Sequence, residues 1–128
     1  MGPVNGDRRA EVLELLGRED DPGLSLYRAF FDGHAAAMIL LDPETGAVMD
    51  ANPAACALYG FSREEMRRGS IWDVTVAPLE TVRRNVLSLM NPPGGRITAV
   101  HRLASGGRIH VEIAAGPVDI RGFRLLHC

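Results

Sequence analysis

The stretch from Asp50 to Glu65 constrains the fold most, because it combines the end of a strand with two helix starts and one helix end. Asn52 is suited to cap a helix, since its side-chain oxygen can accept hydrogen bonds from the free N–H groups of the first turn. Pro53 suits the first helical position, and Gly60 can adopt the left-handed conformation that ends a helix. Ser62 and Glu65 have the spacing of a capping box. The stretch therefore predicts a short helix, a break and a second helix.

The composition indicates one globular domain without a targeting segment. The chain has 128 residues, 46% of them hydrophobic, and its formal net charge of −2 gives no general reason to bind nucleic acid or an anionic membrane. No apolar run reaches the length of a membrane span, and the N-terminus lacks the apolar core of a signal peptide. The cysteines, Cys56 and Cys128, are not placed to pair, which fits a reducing compartment. We therefore expect a cytoplasmic location, with no contact between this stretch and membrane or nucleic acid.

The chain divides into an N-terminal extension, residues 1–23, and a main domain, residues 24–128. Residues 1–7 are rich in Gly, Pro and Asn and are expected to be disordered. Residues 8–17 are predicted to form a short amphipathic helix. After a charged linker, a second short helix is predicted at residues 24–32, with its aromatic residues on the apolar side.

The main domain begins with a hairpin, continues with helices and ends with three strands. Apolar runs and alternation between apolar and polar residues predict the strands, and turns that contain Gly or Pro separate them. The helical part includes a single turn at 70–74 and an amphipathic helix at 78–90, whose apolar face carries Leu79, Val82 and Val86. The predicted strands span residues 37–41, 47–51, 96–104, 108–120 and 123–128. The fold class is therefore α+β, with a five-stranded, mainly antiparallel sheet and helices over one face.

Separated pieces of the sequence occur in the order and spacing of a known family. The pieces are residues 41–46, LDPETG; residues 50–55, DANPAA; residues 58–65, LYGFSREE; residues 101–108, HRLASGGR; and residues 117–122, PVDIRG. Together they resemble the PAS sensory domain of the S-box type, and the resemblance covers about residues 24–128. It implies the profilin-like PAS fold, in which five antiparallel strands take the order 2-1-5-4-3.

The resemblance also implies a role in bacterial signal transduction. Domains of this family feed signals to histidine kinases, to diguanylate cyclases or phosphodiesterases, or to transcription regulators. We expect a signal-input domain of a sensor histidine kinase in a two-component system, acting on a C-terminal effector domain. The alternative is a ligand-free interaction or dimerisation module of a cyclase, phosphodiesterase or regulator. The sequence contains no phosphate-binding loop and no metalloprotease or nucleophile-elbow motif, so catalysis by this stretch is not expected.

The helix of the extension has a narrow apolar stripe formed by Val12, Leu15 and Leu16. The stripe could cover the open face of the chain's own sheet, or it could pair with the same helix of a second copy. About one heptad is too short to be stable alone, so one of the two must hold. Because the family commonly dimerises at this helix, we expect a homodimer formed through the N-terminal helix and the sheet.

No cofactor is predicted. The reactive-cysteine motif of the family's flavin-binding light sensors is absent, and Cys56 is better interpreted as a small buried apolar residue. The helix at residues 78–90 contains no histidine, which argues against the haem site of related domains. The histidines do not cluster with other metal ligands in the sequence, so no metal site is predicted.

The resemblance implies a cavity between the sheet and the helices, and this cavity is the main candidate site. His101 alternates with Ile97, Ala99 and Leu103, so it should face the helices. There it is either a hydrogen-bonded residue at the edge of the core or a polar anchor for a small ligand such as an anion or carboxylate. A filled core without ligand remains the alternative. The candidate pocket residues are Ile39, Cys56, Tyr59, Trp72, Val86, Met90, His101 and Val111.

Overall fold

The computed structural model describes residues 5–128, with side chains from residue 8. The helices are α1 (Asn5–Leu16), α2 (Pro22–Gly33), α3 (Pro53–Tyr59), α4 (Arg63–Arg68), α5 (Ile71–Val74) and α6 (Leu79–Leu89). The strands are β1 (Ile39–Leu41), β2 (Val48–Ala51), β3 (Gly95–Arg102), β4 (Arg108–Ile120) and β5 (Phe123–His127). Of the residues expected to be disordered, 5–7 are helical, and the first four lie outside the described part. None of the described helices combines the length and apolar character that a membrane-spanning helix needs.

The strands form one antiparallel sheet in the order β2-β1-β5-β4-β3, which confirms the predicted topology. The long strand β4 joins the two halves of the sheet. Its first part pairs with β3 in a register that places His101 opposite Ile109, and its last part pairs with β5 from Gly116 onward. The β3–β4 hairpin therefore extends the sheet beyond the region that β1, β2 and β5 form.

Helices cover both faces of the sheet rather than one. Ile39 and Leu41 of β1 point to the face covered by α3, α4, α5 and α6, whereas Leu40 points to the face covered by α1 and α2. On that second face, Val12 and Leu16 of α1 are 1% and 3% exposed. The apolar stripe of α1 thus covers the chain's own sheet, which is the first of the two arrangements considered for it.

The local capping predictions are confirmed. The side chain of Asn52 accepts a hydrogen bond from Ala55 N, and Pro53 is the first residue of α3. Gly60 ends α3 with a φ of 84°, a conformation that costs a residue with a side chain more than it costs glycine. Ser62 and Glu65 form the reciprocal capping box at the start of α4.

Two helices differ from the sequence-based description. The residues predicted as a linker before α2 include its cap and first turn, because Asp21 accepts hydrogen bonds from the backbone at its N-terminus. On α2 the aromatic side chain of Phe30 is 58% exposed, since the helix packs through Leu24 and Phe31 instead. On α6, Leu79 is 49% exposed because the helix packs through residues further along, while Pro78 only caps it.

Candidate functional site

A cavity of about 330 Å³ lies between the sheet and the first helices of its cover. Ile39 and Leu41 of β1 and Val111 of β4 contribute apolar wall, and Tyr59 and His101 contribute its buried polar groups. The remaining lining residues are His34, Ala36, Ala37, Met38, Leu58, Ile71, Glu112, Ile113, Ala114, His127 and Cys128. We call this space the Tyr59–His101 cavity. Its wall is mainly apolar, which is typical of small-molecule sites.

Tyr59 and His101 form a buried hydrogen bond in the wall of this cavity. The Tyr59 hydroxyl lies 2.7 Å from His101 Nδ1, and the two residues are 4% and 3% exposed. Burial raises the pKa of Tyr59 to about 12 and lowers the pKa of His101 from its ordinary value. Both side chains are therefore neutral near pH 7, and the pair offers hydrogen bonds without placing a charge in the cavity.

Backbone hydrogen bonds around this pair connect α3, β3 and the end of α5. Tyr59 is the last residue of α3, and its carbonyl oxygen accepts a hydrogen bond of 2.8 Å from Ala104 N, just after β3. His101 lies in β3, where its backbone also pairs with that of Thr75 at the end of α5. The pair thus joins α3, α5 and the sheet, which confirms that His101 faces the helices.

The structure brings together only some of the predicted pocket residues. Ile39, Tyr59, His101 and Val111 line the Tyr59–His101 cavity. The others predicted for the same cavity, Trp72, Val86 and Met90, instead line a separate groove of about 770 Å³ between α5, α6 and the β1–β2 turn, which we call the α6 groove. The prediction of one continuous pocket is therefore wrong.

Trp72 and Cys56 have local reasons for lying outside the cavity. The Trp72 indole Nε1 donates a hydrogen bond of 3.1 Å to the carbonyl oxygen of Thr45, which holds the ring against the β1–β2 turn. Cys56 lines neither space, because the side of α3 that faces the sheet carries Ala55 and Tyr59. It is half-buried against the core, and burial raises the pKa of its thiol.

Ile71 was not among the predicted site residues, although it lines both spaces. It also lines a third space of about 300 Å³ beneath α4, together with Phe61, Met66 and Val74. We call this third space the α4 cavity. The spacing of Ser70 and Asp73 was the signal in the sequence that could have indicated the position of Ile71. The Asp73 side chain accepts a hydrogen bond of 2.8 Å from Ser70 N, and α5 therefore starts at Ile71.

A second buried polar cluster lies around Asp50 of β2, which pairs with Leu40 of β1. Arg63 donates two hydrogen bonds to this carboxylate, of 2.8 and 2.7 Å, and Arg67 donates a third of 3.0 Å. Arg63 also forms an ion pair of 2.8 Å with Asp32 of α2. Burial by itself would raise the pKa of Asp50, but the two guanidinium groups outweigh it and hold the pKa below its ordinary value. The cluster is closed by internal partners, so its role is structural.

In the part of the chain that the structure describes, no three His, Cys, Asp or Glu residues are placed to bind one metal ion.

Known proteins share sequence with this chain. The profile of the PAS domain family matches residues 36–127. The diguanylate cyclase DgcM of Escherichia coli (strain K12) is 36% identical over 109 residues, which cover 80% of this chain and 25% of that protein. The chain thus spans about a quarter of the length of this curated relative.

Solved structures share the fold. The PAS domain of an HTR-like protein from Haloarcula marismortui has a TM-score of 0.72 and 20% identity, with 94% of each chain covered. A domain of a sensory box sensor histidine kinase/response regulator from Geobacter sulfurreducens has a TM-score of 0.66 and 20% identity, covering 86% of this chain and 96% of that one. At these identities the similarity establishes the fold alone.

Proposed function

The chain belongs to the PAS domain family, and on that premise we propose that it is a signal-input domain whose ligand site is the Tyr59–His101 cavity. In this proposal the domain is a sensory module of a bacterial signalling protein and is not itself catalytic. The observation that carries the proposal is the buried Tyr59–His101 hydrogen bond in the wall of a mainly apolar cavity.

The geometry of this pair supports recognition of one polar group on a small molecule. In the tautomer that we propose, the Tyr59 hydroxyl donates to Nδ1 of His101, so that Nε2 carries the ring proton. Among the described residues Nε2 has no hydrogen-bond partner, which leaves this donor for a carbonyl, hydroxyl or carboxylate oxygen of a ligand. We propose a small, mainly apolar ligand with one such oxygen, because most of the wall is apolar and the volume is limited.

Occupation of the cavity would act on the elements that the pair joins. A ligand bonded to His101 contacts β3 directly, α3 through Tyr59 and α5 through the backbone pairing of Thr75. A ligand can shift the domain between conformations only by the difference in its affinity for them. We propose that the preferred conformation is the one in which α3 and α5 close over the occupied cavity.

The output partner that we propose is a C-terminal diguanylate cyclase domain, because DgcM is a diguanylate cyclase and is 36% identical to this chain. A histidine kinase remains the second candidate, supported only at the level of fold by the domain from Geobacter sulfurreducens. Homodimerisation through the N-terminal helix and the sheet also stays a proposal. Since Val12 and Leu16 are already buried on the chain's own sheet, a dimer that uses them requires exchange of α1 between copies.

Thermal unfolding of this domain with benzyl alcohol or benzoate tests the proposed site. A ligand at ten times its Kd stabilises the folded state by about 1.4 kcal/mol, which raises the Tm of a domain of this size by about 5 °C. We expect this shift with at least one of the two compounds, and we expect the variant His101→Phe to lose it.

His110→Phe is the matched control, because His110 is exposed and lies outside this cavity. It should keep the shift in Tm. If neither compound raises the Tm, or if His101→Phe and His110→Phe respond alike, the proposal is refuted and a filled interaction module becomes the better description.

A further inference from the structure

Ile71 occupies the junction of three spaces inside the domain. Its side chain lines the Tyr59–His101 cavity, the α4 cavity and the α6 groove. We infer that Ile71 is the residue that limits the size of the ligand, because it closes the Tyr59–His101 cavity against the other two spaces. This inference rests on the proposed ligand site and adds a specificity-determining residue to it.

The backbone around Ile71 is held in place at both ends of α5. Ile71 N donates a hydrogen bond of 2.8 Å to Gly46 O, and the next residue, Trp72, is bonded to Thr45 O. At the other end of α5, Val76 N donates to Val100 O at 3.2 Å, next to the pairing of Thr75 with β3. α5 is therefore tied at one end to the β1–β2 turn and at the other to β3.

The β1–β2 turn also presses directly on this position. Gly46 has a φ of 76°, and a Cβ atom built there would lie 3.0 Å from Cγ2 of Ile71 and 3.0 Å from Nε1 of Trp72. These distances are shorter than ordinary van der Waals contacts, so the turn, Ile71 and Trp72 are closely packed. The turn therefore limits movement of Ile71 on the side of its Cγ2 atom.

The position of Ile71 explains why Trp72, Val86 and Met90 are separated from the Tyr59–His101 pair. Replacing Ile71 by alanine removes three side-chain carbons at the one residue common to the three spaces. The cavity should then open toward the α6 groove, and a longer ligand could bond His101 and reach Trp72 at the same time. In the native protein such a ligand would have to displace the Ile71 side chain.

Binding of a short and a long probe to this domain tests the inference. Benzyl alcohol serves as the short probe and 4-biphenylmethanol, which adds one phenyl ring, as the long probe. Titrations followed by NMR of the ¹⁵N-labelled domain should show that Ile71→Ala binds the long probe at least tenfold more tightly than the native chain. The signals that move should include both the His101 amide and the Trp72 indole N–H.

Ile113→Ala is the matched control, because it removes the same carbons from a residue that lines the Tyr59–His101 cavity but neither other space. It should enlarge the cavity without bringing the long probe to Trp72. Equal gains in Ile71→Ala and Ile113→Ala, or a gain without a shift at Trp72, would overturn the inference. If Ile71→Ala does not fold, Ile71→Val replaces it, with a smaller gain for the long probe expected and no gain taken as refutation.

A crystal structure of unliganded Ile71→Ala separates this inference from the proposed function. It should show one continuous cavity from the Tyr59–His101 pair to Trp72, whether or not any probe binds. A continuous cavity together with no binding of either probe would refute the proposed ligand site and leave the partition by Ile71 intact. Two separate cavities in the variant would refute the partition alone.

Discussion

Replacement of Asn52 should lower the free energy of unfolding far more than replacement of an ordinary helix cap. Asn52 is 0% exposed, and its side chain makes contacts with several elements at once. Its Oδ1 accepts hydrogen bonds of 2.9 Å from Met38 N and from Ala55 N, and its Nδ2 donates to Phe31 O at 3.0 Å and Ala36 O at 2.9 Å. One amide therefore links the end of α2, the approach to β1 and the start of α3.

The cost of Asn52→Ala follows from these bonds. Four hydrogen bonds, three of them buried, are lost at about 1 kcal/mol each, so the free energy of unfolding should fall by about 4 kcal/mol. For a domain of this size the Tm should fall by about 15 °C. An ordinary exposed helix cap contributes only about 1 kcal/mol.

Ser62→Ala provides the comparison, because Ser62 caps α4 from an exposed position. The assay is urea unfolding of both variants and the native domain, followed by circular dichroism, with the slope of unfolding free energy against urea concentration checked for constancy. Asn52→Ala should lose about 3 kcal/mol more than Ser62→Ala. Equal losses would show that Asn52 acts only as a helix cap, and the account of it as a link between three elements would be wrong.

Three further predictions concern the buried polar groups. Tyr59→Phe should lower the free energy of unfolding by about 2 kcal/mol, because it leaves His101 Nδ1 unpaired. Tyr27→Phe should be neutral or stabilising, because the described contacts leave the buried Tyr27 hydroxyl without a partner. Urea unfolding measures both variants. In the same assay, Arg63→Ala should lower the free energy of unfolding by about 3 kcal/mol, because it leaves the buried Asp50 carboxylate without one of its partners. Arg68→Ala removes only an exposed ion pair of 4.0 Å and should lower it by less than about 0.5 kcal/mol. Similar losses in the two variants would contradict this prediction. Because burial lowers the pKa of His101 below the ordinary 6.5, the unfolded chain binds its proton first, so native stability should fall as the pH drops below 6.5. His101→Gln should show a smaller fall over that range in unfolding curves measured at several pH values, and an unchanged pH dependence would contradict the assignment.

The ends of helices α3 and α4 could be predicted because their determinants are local. Asn52, Gly60 and the Ser62–Glu65 box act through the few residues around them, and the structure has each cap as the sequence indicates. Strand order followed from the family resemblance rather than from local rules. The exposure of Phe30 could not be read from spacing, because α2 carries apolar residues on more than one face and only packing selects among them.

The site was predicted less completely because its shape depends on tertiary placement. Alternation in β3 was enough to place His101 on the face covered by helices. The separation of Trp72 from His101 depends on how α5 is tied between a turn and a strand, which no periodicity in the sequence reports. The sequence contained only a weak indication that Arg63 and Arg67 pair with Asp50. The two arginines lie four residues apart on one helix face, soon after a buried strand.

The most direct test of the ligand site is the map of chemical-shift changes when the ¹⁵N-labelled native domain is titrated with benzyl alcohol. The largest changes should occur at the backbone amides of Tyr59, His101 and Val111, with little change at the Trp72 indole N–H and at the hairpin turn around Gly106. Changes confined to Trp72 and α6 would place the ligand in the other groove. Saturating benzyl alcohol without any change at Tyr59 or His101 would contradict the central claim.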